Sequence, residues 1–386
     1  MKQYVEAPAV YDGSERTAVF LAGGISGCPD WQSDAVDRLA DLPIAILNPR
    51  RKNFPIDDPS AAEGQIRWEY EHLRQADLVL FWFPDSGPVT QPIALYELGA
   101  HAATDKPLAV GCDPGYIRRA DVVYQLGLVR PELTVHSDLA SVCADARRHL
   151  LGAGWDAAAE GYERYFVPRF APWVAAAVDA IGDVPDGPIL VPCCGTFPEL
   201  EPLLERFPDR EIVGIDLSAG MTALARERAA GRPNVRIVTG DASRLVPSWT
   251  GRCAAVVSVF GLQQLPDPPS AVRSWLDALA PGGRLSVVYW PSASEEDGPF
   301  ALLGDLRGRS GPYPWEASVG GTPLAFPMTH PDAATFFDEY VHNGPMRSAP
   351  RALVEELRPE FLRRAPAGEW THHPHARLLV ATKEHR

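Results

Sequence analysis

The stretch LVLFWFPDSGPVTQPIALYELGAH (Leu78–His101) sets two kinds of local order side by side. Its first six residues are wholly apolar, as expected of a strand covered on both faces. A loop rich in Pro and Gly breaks the run, and an apolar helix follows with one carboxylate in it, Glu97, among Ile93, Leu95, Leu98 and Ala100. A glutamate in that company either reaches for water or is placed for chemistry.

Working outward, the same alternation continues. TAVFLA (17–22) leads to a helix from about Trp31, IAILN (44–48) comes next, and GQIRWEYEHLRQ carries Ile66, Tyr70 and Leu73 at helical spacing. PLAVG (107–111) follows the Glu97 helix. Continuous apolar strands separated by helices predict a parallel sheet covered on both faces, with ligands at the carboxyl ends of the strands. The loops after Ala22, Leu47 and Phe83 are therefore the ones to watch. A helical stretch (155–182) comes next, and the pattern restarts with PILVP (188–192), EIVGI (211–215), VRIVT (235–239), AAVVSV (254–259) and RLSVVYW (284–290). Residues 291–370 are rich in Pro, Gly and aromatics with weak periodicity, and ARLLVATK (376–383) reads as a last strand. The expected architecture is α/β with two doubly wound domains: a flavodoxin-like or Rossmann-like domain over 1–150 and a Rossmann-like domain over 151–386.

Composition narrows the partners. A net charge of −14 argues against a nucleic-acid polymer, whose binding rests on Lys and Arg, but permits a single nucleotide in a local basic pocket. The six cysteines are scattered, with no CxxC and no Cys/His zinc spacing, so reduced thiols, no metal and a cytoplasmic location are expected. No apolar run approaches ~18 residues, so no membrane insertion is expected.

In the first domain, the glycines of LAGGISG (21–27), Gly23 and Gly24 among them, let the backbone approach a ligand closely. Arg50 and Arg51, directly after a strand, suit bidentate phosphate recognition. Paired carboxylates flanking a glycosidic bond are what retaining glycosyl transfer needs, one attacking the anomeric carbon and the other handling the leaving-group proton. On residue chemistry alone, Glu97 can equally be a surface residue favoured by the helix dipole, and Arg50 and Arg51 can equally be solvated.

Taken together, FLAGGISG, NPRR, IRWEYEHLRQADLVLFWF and PIALYELGAH resemble the nucleoside 2-deoxyribosyltransferase-like family, which includes hydrolases of nucleoside monophosphates, over roughly 16–145. The resemblance implies that Glu97 is the nucleophile, that Glu69 is a second active-site carboxylate, that Asp85 is a third, and that Trp68 belongs to the substrate side. It also implies a possible homodimer. The helix amino end is expected to help keep Glu97 ionised.

In the second domain, PILVPCCGTFPEL reads as strand, sharp turn and helix start, and VGIDLSAGM ends a strand on Asp216 about 20 residues later, the spacing of a ribose-binding carboxylate. NAD is the first alternative, but GxGxxG is absent. VTGDAS places Asp241 after the third strand, and LAPGG precedes the fifth. This set resembles class I S-adenosylmethionine-dependent methyltransferases over about 155–386. The resemblance implies S-adenosylmethionine held by Cys193 and Gly195 of the turn, Asp216, Leu217 and Met221, Asp241 and Ala242, Val259, and Tyr162 and Tyr165 of YERYF. Where that family has an acidic residue and three glycines, this chain has Val191, Cys193, Gly195 and Phe197. Gln263 and Gln264 follow the fourth strand, on the acceptor side.

The expected function is a bifunctional small-molecule enzyme. One domain cleaves or transfers the N-glycosidic bond of a nucleoside monophosphate, and the other methylates the base or a derived heterocycle. The alternatives are a monofunctional methyltransferase with a non-catalytic amino-terminal domain, and a nucleotide-sensing regulator with neither activity.

Overall fold

The apolar runs become strands because each is covered on both faces: all six residues of LVLFWF are buried, as are the first five of AVFLAG (18–23). A computed structural model describes the chain except for residues 1–2, 14–16, 41, 43, 54–58, 309–310, 348, 350 and 385–386. Two units separate, Met1–Leu151 with Ser348–Val354, and Gly152–Arg347 with Glu355–Arg386.

The first unit runs β1 (Gln3–Glu6), β2 (Ala18–Gly23), α1 (Trp31–Arg38), β3 (Ala45–Asn48), α2 (Pro59–Gln75), β4 (Leu78–Phe83), α3 (Pro92–Ala102), β5 (Leu108–Cys112), α4 (Arg119–Val129), β6 (Val135–His136) and the start of α5 (Leu139–Asp179). Its six strands lie in the order β1-β3-β2-β4-β5-β6, every pair parallel. The chain winds one way from β2 and the other way from β4, so the crevice at their carboxyl ends is the topological switch point. β1 and β6 were not legible as strands. One is four residues and the other two, too short for a pattern.

The second unit continues with β7 (Ile189–Pro192), α6 (Leu200–Arg206), β8 (Ile212–Asp216), α7 (Ala219–Arg228), β9 (Val235–Thr239), β10 (Cys253–Val259), α8 (Pro268–Ala278) and β11 (Leu279–Tyr289). Then come α9 (Pro299–Leu306), α10 (Glu316–Val319), β12 (Thr322–Ala325), β13 (Met328–His330), α11 (Ala333–His342), α12 (Arg351–Arg364), β14 (Trp370–His372) and β15 (His375–Thr382). The main sheet has the order β12-β15-β11-β10-β7-β8-β9. Its pairs are parallel from β11 to β9, and β15 runs antiparallel to both β11 and β12. Here the switch point falls between β7 and β10.

The expected irregularity of 291–370 is corrected: the segment holds α9 to α12. In α11 one stripe, Phe336, Phe337 and Val341, is buried, and Asp332 caps the helix by accepting from the Thr335 amide at 2.7 Å. Frequent Pro and Gly between these short helices hid the period.

Candidate functional site

In the first unit a cavity of about 260 Å³ opens at the carboxyl ends of β2 and β4. Gly23, Gly24, Ile25, Pro49, Glu69, Gln91, Ala94 and Glu97 are among the residues lining it. α2 brings Glu69 and α3 brings Glu97. Gln65, one turn before Glu69, donates to Glu69 Oε1 at 3.0 Å and to the Pro49 carbonyl at 2.8 Å, fixing the carboxylate from behind. The two glycines answer to packing. A side chain at Gly23 would strike the Trp82 carbonyl, at 2.0 Å, and one at Gly24 would strike Cys28 Sγ at 2.4 Å and Gln91 at 2.6 Å.

Burial pushes the Glu97 carboxyl up to about 8, and the neighbouring Glu69 charge adds to it. Burial raises Glu69 as well, against the pull of the Gln65 hydrogen bond. The expectation that the helix amino end keeps Glu97 ionised is therefore corrected. Glu97 lies in the second turn of α3, where the dipole has faded, so burial and like charge decide.

Gln91 was not anticipated from sequence. It is 5% exposed and left-handed (φ +48°) immediately before α3, and its Nε2 donates to the Pro84 carbonyl and Ser86 Oγ. Its Oε1 has no hydrogen-bond partner, leaving an acceptor on the cavity wall. A glutamine before a proline carries no sequence signal of that role.

Other expected residues lie elsewhere. Arg50 donates to the Pro29 and Cys28 carbonyls and to Gln32 Oε1 at 2.8–3.0 Å, tying down the loop after β2. Trp68 precedes Glu69 on α2, about 100° around the helix, so it points away from the cavity. Its indole donates to the Ala9 carbonyl at 2.6 Å and stacks on His72 at 3.9 Å. Arg51 lines a separate hollow beside Trp68. Asp85 is exposed and closes its own turn by accepting from the Gly87 amide.

In the second unit the turn after β7 keeps a left-handed backbone at three alternate residues: Cys193 (φ +57°), Gly195 (φ +52°) and Phe197 (φ +67°). Only glycine adopts this without cost. Cysteine and phenylalanine hold here a conformation that glycine would adopt freely. Asp216 ends β8 with both oxygens engaged, Oδ2 accepting from the Gly195 amide at 2.8 Å and Oδ1 from the Ser218 amide at 2.9 Å. Asp156, also unanticipated, accepts from Ser218 Oγ and the Gly220 amide, bracing the same loop from α5. Leu217 lies in that loop, half-buried, and Met221 is buried in the first turn of α7. Asp241 is exposed beyond β9, Ala242 is buried with its carbonyl accepting from Trp275, and Val259 closes β10. The turn, the β8 and β9 carboxylates and a buried Glu199 oxygen without a partner fit a ligand with ribose hydroxyls and a cationic end, as S-adenosylmethionine has.

Tyr162 and Tyr165 part company. Tyr162 lines a cleft of about 470 Å³ with Phe166, Phe170, Phe260, Gln263, Gln264, Trp290, Glu295 and Phe300 among others. Phe260 and Trp290 stack there, 4.3 Å apart and 4° from parallel. Gln263 is occupied with the backbone, donating to the Phe260 carbonyl at 2.6 Å. Tyr165 instead joins a buried chain. Its hydroxyl meets His330 Nδ1 at 2.8 Å, His330 Nε2 meets His372 Nε2 at 3.0 Å, and His372 Nδ1 meets Glu295 Oε2 at 2.5 Å.

Comparison with known proteins finds two separate matches. Residues 16–116 match the family model described as nucleoside 2-deoxyribosyltransferase like, and residues 189–283 match the one described as methyltransferase domain. A demethylmenaquinone methyltransferase of Renibacterium salmoninarum is 34% identical over 131 residues, 34% of this chain and 52% of that protein. Another, of Thermus thermophilus, is 36% identical over 132 residues, 34% of this chain and 59% of that protein. A trans-aconitate 2-methyltransferase of Deinococcus radiodurans is 37% identical over 94 residues, 24% and 34% of the two chains. The chain thus spans about half the length of the first two relatives and a third of the other. The chain carries a nucleoside 2-deoxyribosyltransferase-like domain followed by a methyltransferase domain.

Proposed function

We propose that the protein is a bifunctional enzyme of small molecules. Its first domain breaks the N-glycosidic bond of a nucleoside monophosphate, and its second methylates the base or a derived planar heterocycle. The observation that carries the first half is the convergence of Glu97 and Glu69 on one cavity at the switch point. Glu97 attacks C1′ of the sugar and Glu69 handles the proton of the departing base. Positive charge developing at C1′ favours the ionised form of Glu97, so bond breaking itself draws the proton away from the attacking carboxylate. Gln91 Oε1 offers a sugar hydroxyl or base N–H an acceptor.

The second half rests on the cleft lined by Tyr162, Phe166, Phe170, Phe260, Trp290 and Phe300, whose aromatic walls suit a flat acceptor. Methyl transfer is a displacement in which alignment supplies much of the rate, and the cleft walls provide it. S-adenosylmethionine supplies the electrophilic methyl group. The same reading includes a homodimer through the first unit. Ile66, Tyr70, Ile93 and Tyr96 lie beside the two carboxylates on α2 and α3 and are 62–76% exposed. Light scattering giving a monomer at micromolar concentration removes that part.

The test is a mass-spectrometric screen of monophosphates, each paired with its nucleoside because Arg50 is engaged by its own loop, with and without S-adenosylmethionine. Base release lost in Glu97→Ala supports the glycosidase, and a base heavier by one methyl group links the two halves. No release from any compound leaves the first domain a binder.

A further inference from the structure

The methyltransferase turn lacks its acidic residue: Val191 stands in that place, fully buried and apolar. A carboxylate nevertheless sits close by. Glu199, immediately before α6, is 1% exposed, and its Oε2 has no hydrogen-bond partner. The Glu199 carboxyl lies within electrostatic reach of four groups. It acts on the Cys193 thiol together with Asp216 and Asp241, and on the Tyr162 hydroxyl together with Asp216. The Val259 amide and Arg228 act on it in turn. Glu199 therefore lies among the turn after β7, the end of β10 and Tyr162 of α5, on the side of the Asp216 carboxylate.

Arg228 eases charge on Glu199, and the half-buried Arg347 guanidinium acts on Tyr162 and Asp216 beside it. Arg228 is committed to Glu163 Oε1 at 2.5 Å and to the Thr196 carbonyl at 3.0 Å. A buried carboxylate oxygen without a donor is costly, and such a group persists where a ligand completes it. A cationic donor completes such an oxygen most strongly.

We propose that Glu199 receives the α-ammonium group of S-adenosylmethionine, doing from the start of α6 what an acidic residue at position 191 would do from the end of β7. Two left-handed non-glycine residues, Cys193 and Phe197, shape the turn that leads from β7 to Glu199. The proposal rests on the cofactor assignment and adds the residue that reads the cofactor's amino acid end.

The experiment is calorimetric titration of wild type, Glu199→Gln and Glu199→Asp with S-adenosylhomocysteine and with 5′-methylthioadenosine, which has the same adenosine and thioether but neither ammonium nor carboxylate. A charge-assisted hydrogen bond predicts that Glu199→Gln weakens S-adenosylhomocysteine by about tenfold to a hundredfold and leaves 5′-methylthioadenosine within about threefold. Glu199→Asp, which keeps the charge, falls between. Equal loss for both ligands, or loss for neither, overturns the proposal. If Glu199→Gln does not fold, wild type is titrated with the deamino analogue of S-adenosylhomocysteine, and binding equal to that of the parent overturns it. Wild type that binds neither ligand removes the cofactor assignment and the proposal with it.

Discussion

Glu97 in the first unit and Glu199 in the second are both carboxyls that burial pushes up to about 8, yet their surroundings differ. The second influence on Glu97 is another carboxylate, Glu69, and nothing pulls it back down. Glu199 is also raised by Asp216, but backbone amides and Arg228 oppose that. A raised carboxyl marks a place where charge is costly, and its neighbours decide what the cost serves. Two carboxyls without a cation must share a proton, which suits bond cleavage with proton transfer. A carboxyl steadied by amides waits for a cation, which suits binding.

The strongest way to break this contrast is Glu97→Gln. Base release is expected to fall by about 10³-fold or more, because no other group can form the covalent intermediate. The melting temperature should hold or rise, since a costly buried carboxyl is removed. A large loss of stability would instead make Glu97 a structural residue.

Next comes pH. Base release should climb as pH rises through about 8, where Glu97 ionises, and Glu69→Gln should move that limb to lower pH while lowering the maximum. Stability runs the other way. The folded chain holds a proton that the unfolded chain releases above 4.5, so stability falls between pH 4.5 and about 8 by up to ~1.4 kcal/mol per pH unit. Urea titrations at several pH values check this, and the slope should flatten in Glu97→Gln.

A smaller effect belongs to the second unit. Burial, helped by the charges of His372 and Arg169, pushes the His330 imidazole down from 6.5 to about 3. Its share of stability is therefore full above pH 6.5 and lost as pH falls toward 3. Between pH 7 and pH 5 wild type should lose about 1–2 kcal/mol more than His330→Phe. Equal losses would show that the buried chain carries no such linkage.

The smallest change tests the turn. Cys193→Gly relieves a left-handed cysteine and should alter unfolding free energy by less than about 1 kcal/mol, whereas Cys193→Val should cost about 1–2 kcal/mol. Identical melting of the two variants would mean that the turn relaxes away from its left-handed backbone.

What could be read in the sequence follows contact distance. The strands and the order of motifs came from local patterns, namely apolar runs, helical spacing and loops at strand ends, whereas the pairing of Glu69 with Glu97 came from the family resemblance. Gln91 and Glu199 escaped because their meaning lies in burial and in a single oriented oxygen, and Asp156 because it braces a loop 62 residues away, none of which spacing encodes. The Tyr165–His330–His372–Glu295 chain escaped because its members stand 42 to 165 residues apart. Trp68 and Arg50 show the converse. Both sit in the matching motifs, yet one packs against His72 and the other fastens a loop.

The place of β15 has a consequence for how the chain is made. All strands of the first sheet lie within the first 136 residues, so that sheet can assemble while the rest is still being synthesised. The second sheet cannot, because residues 375–382 must slide between β11 and β12. Until the ribosome delivers them, both neighbours present open edges to other nascent chains. The methyltransferase half therefore completes its sheet only when its last strand has been made, and a pause in translation just before residue 375 would prolong the exposure of those edges.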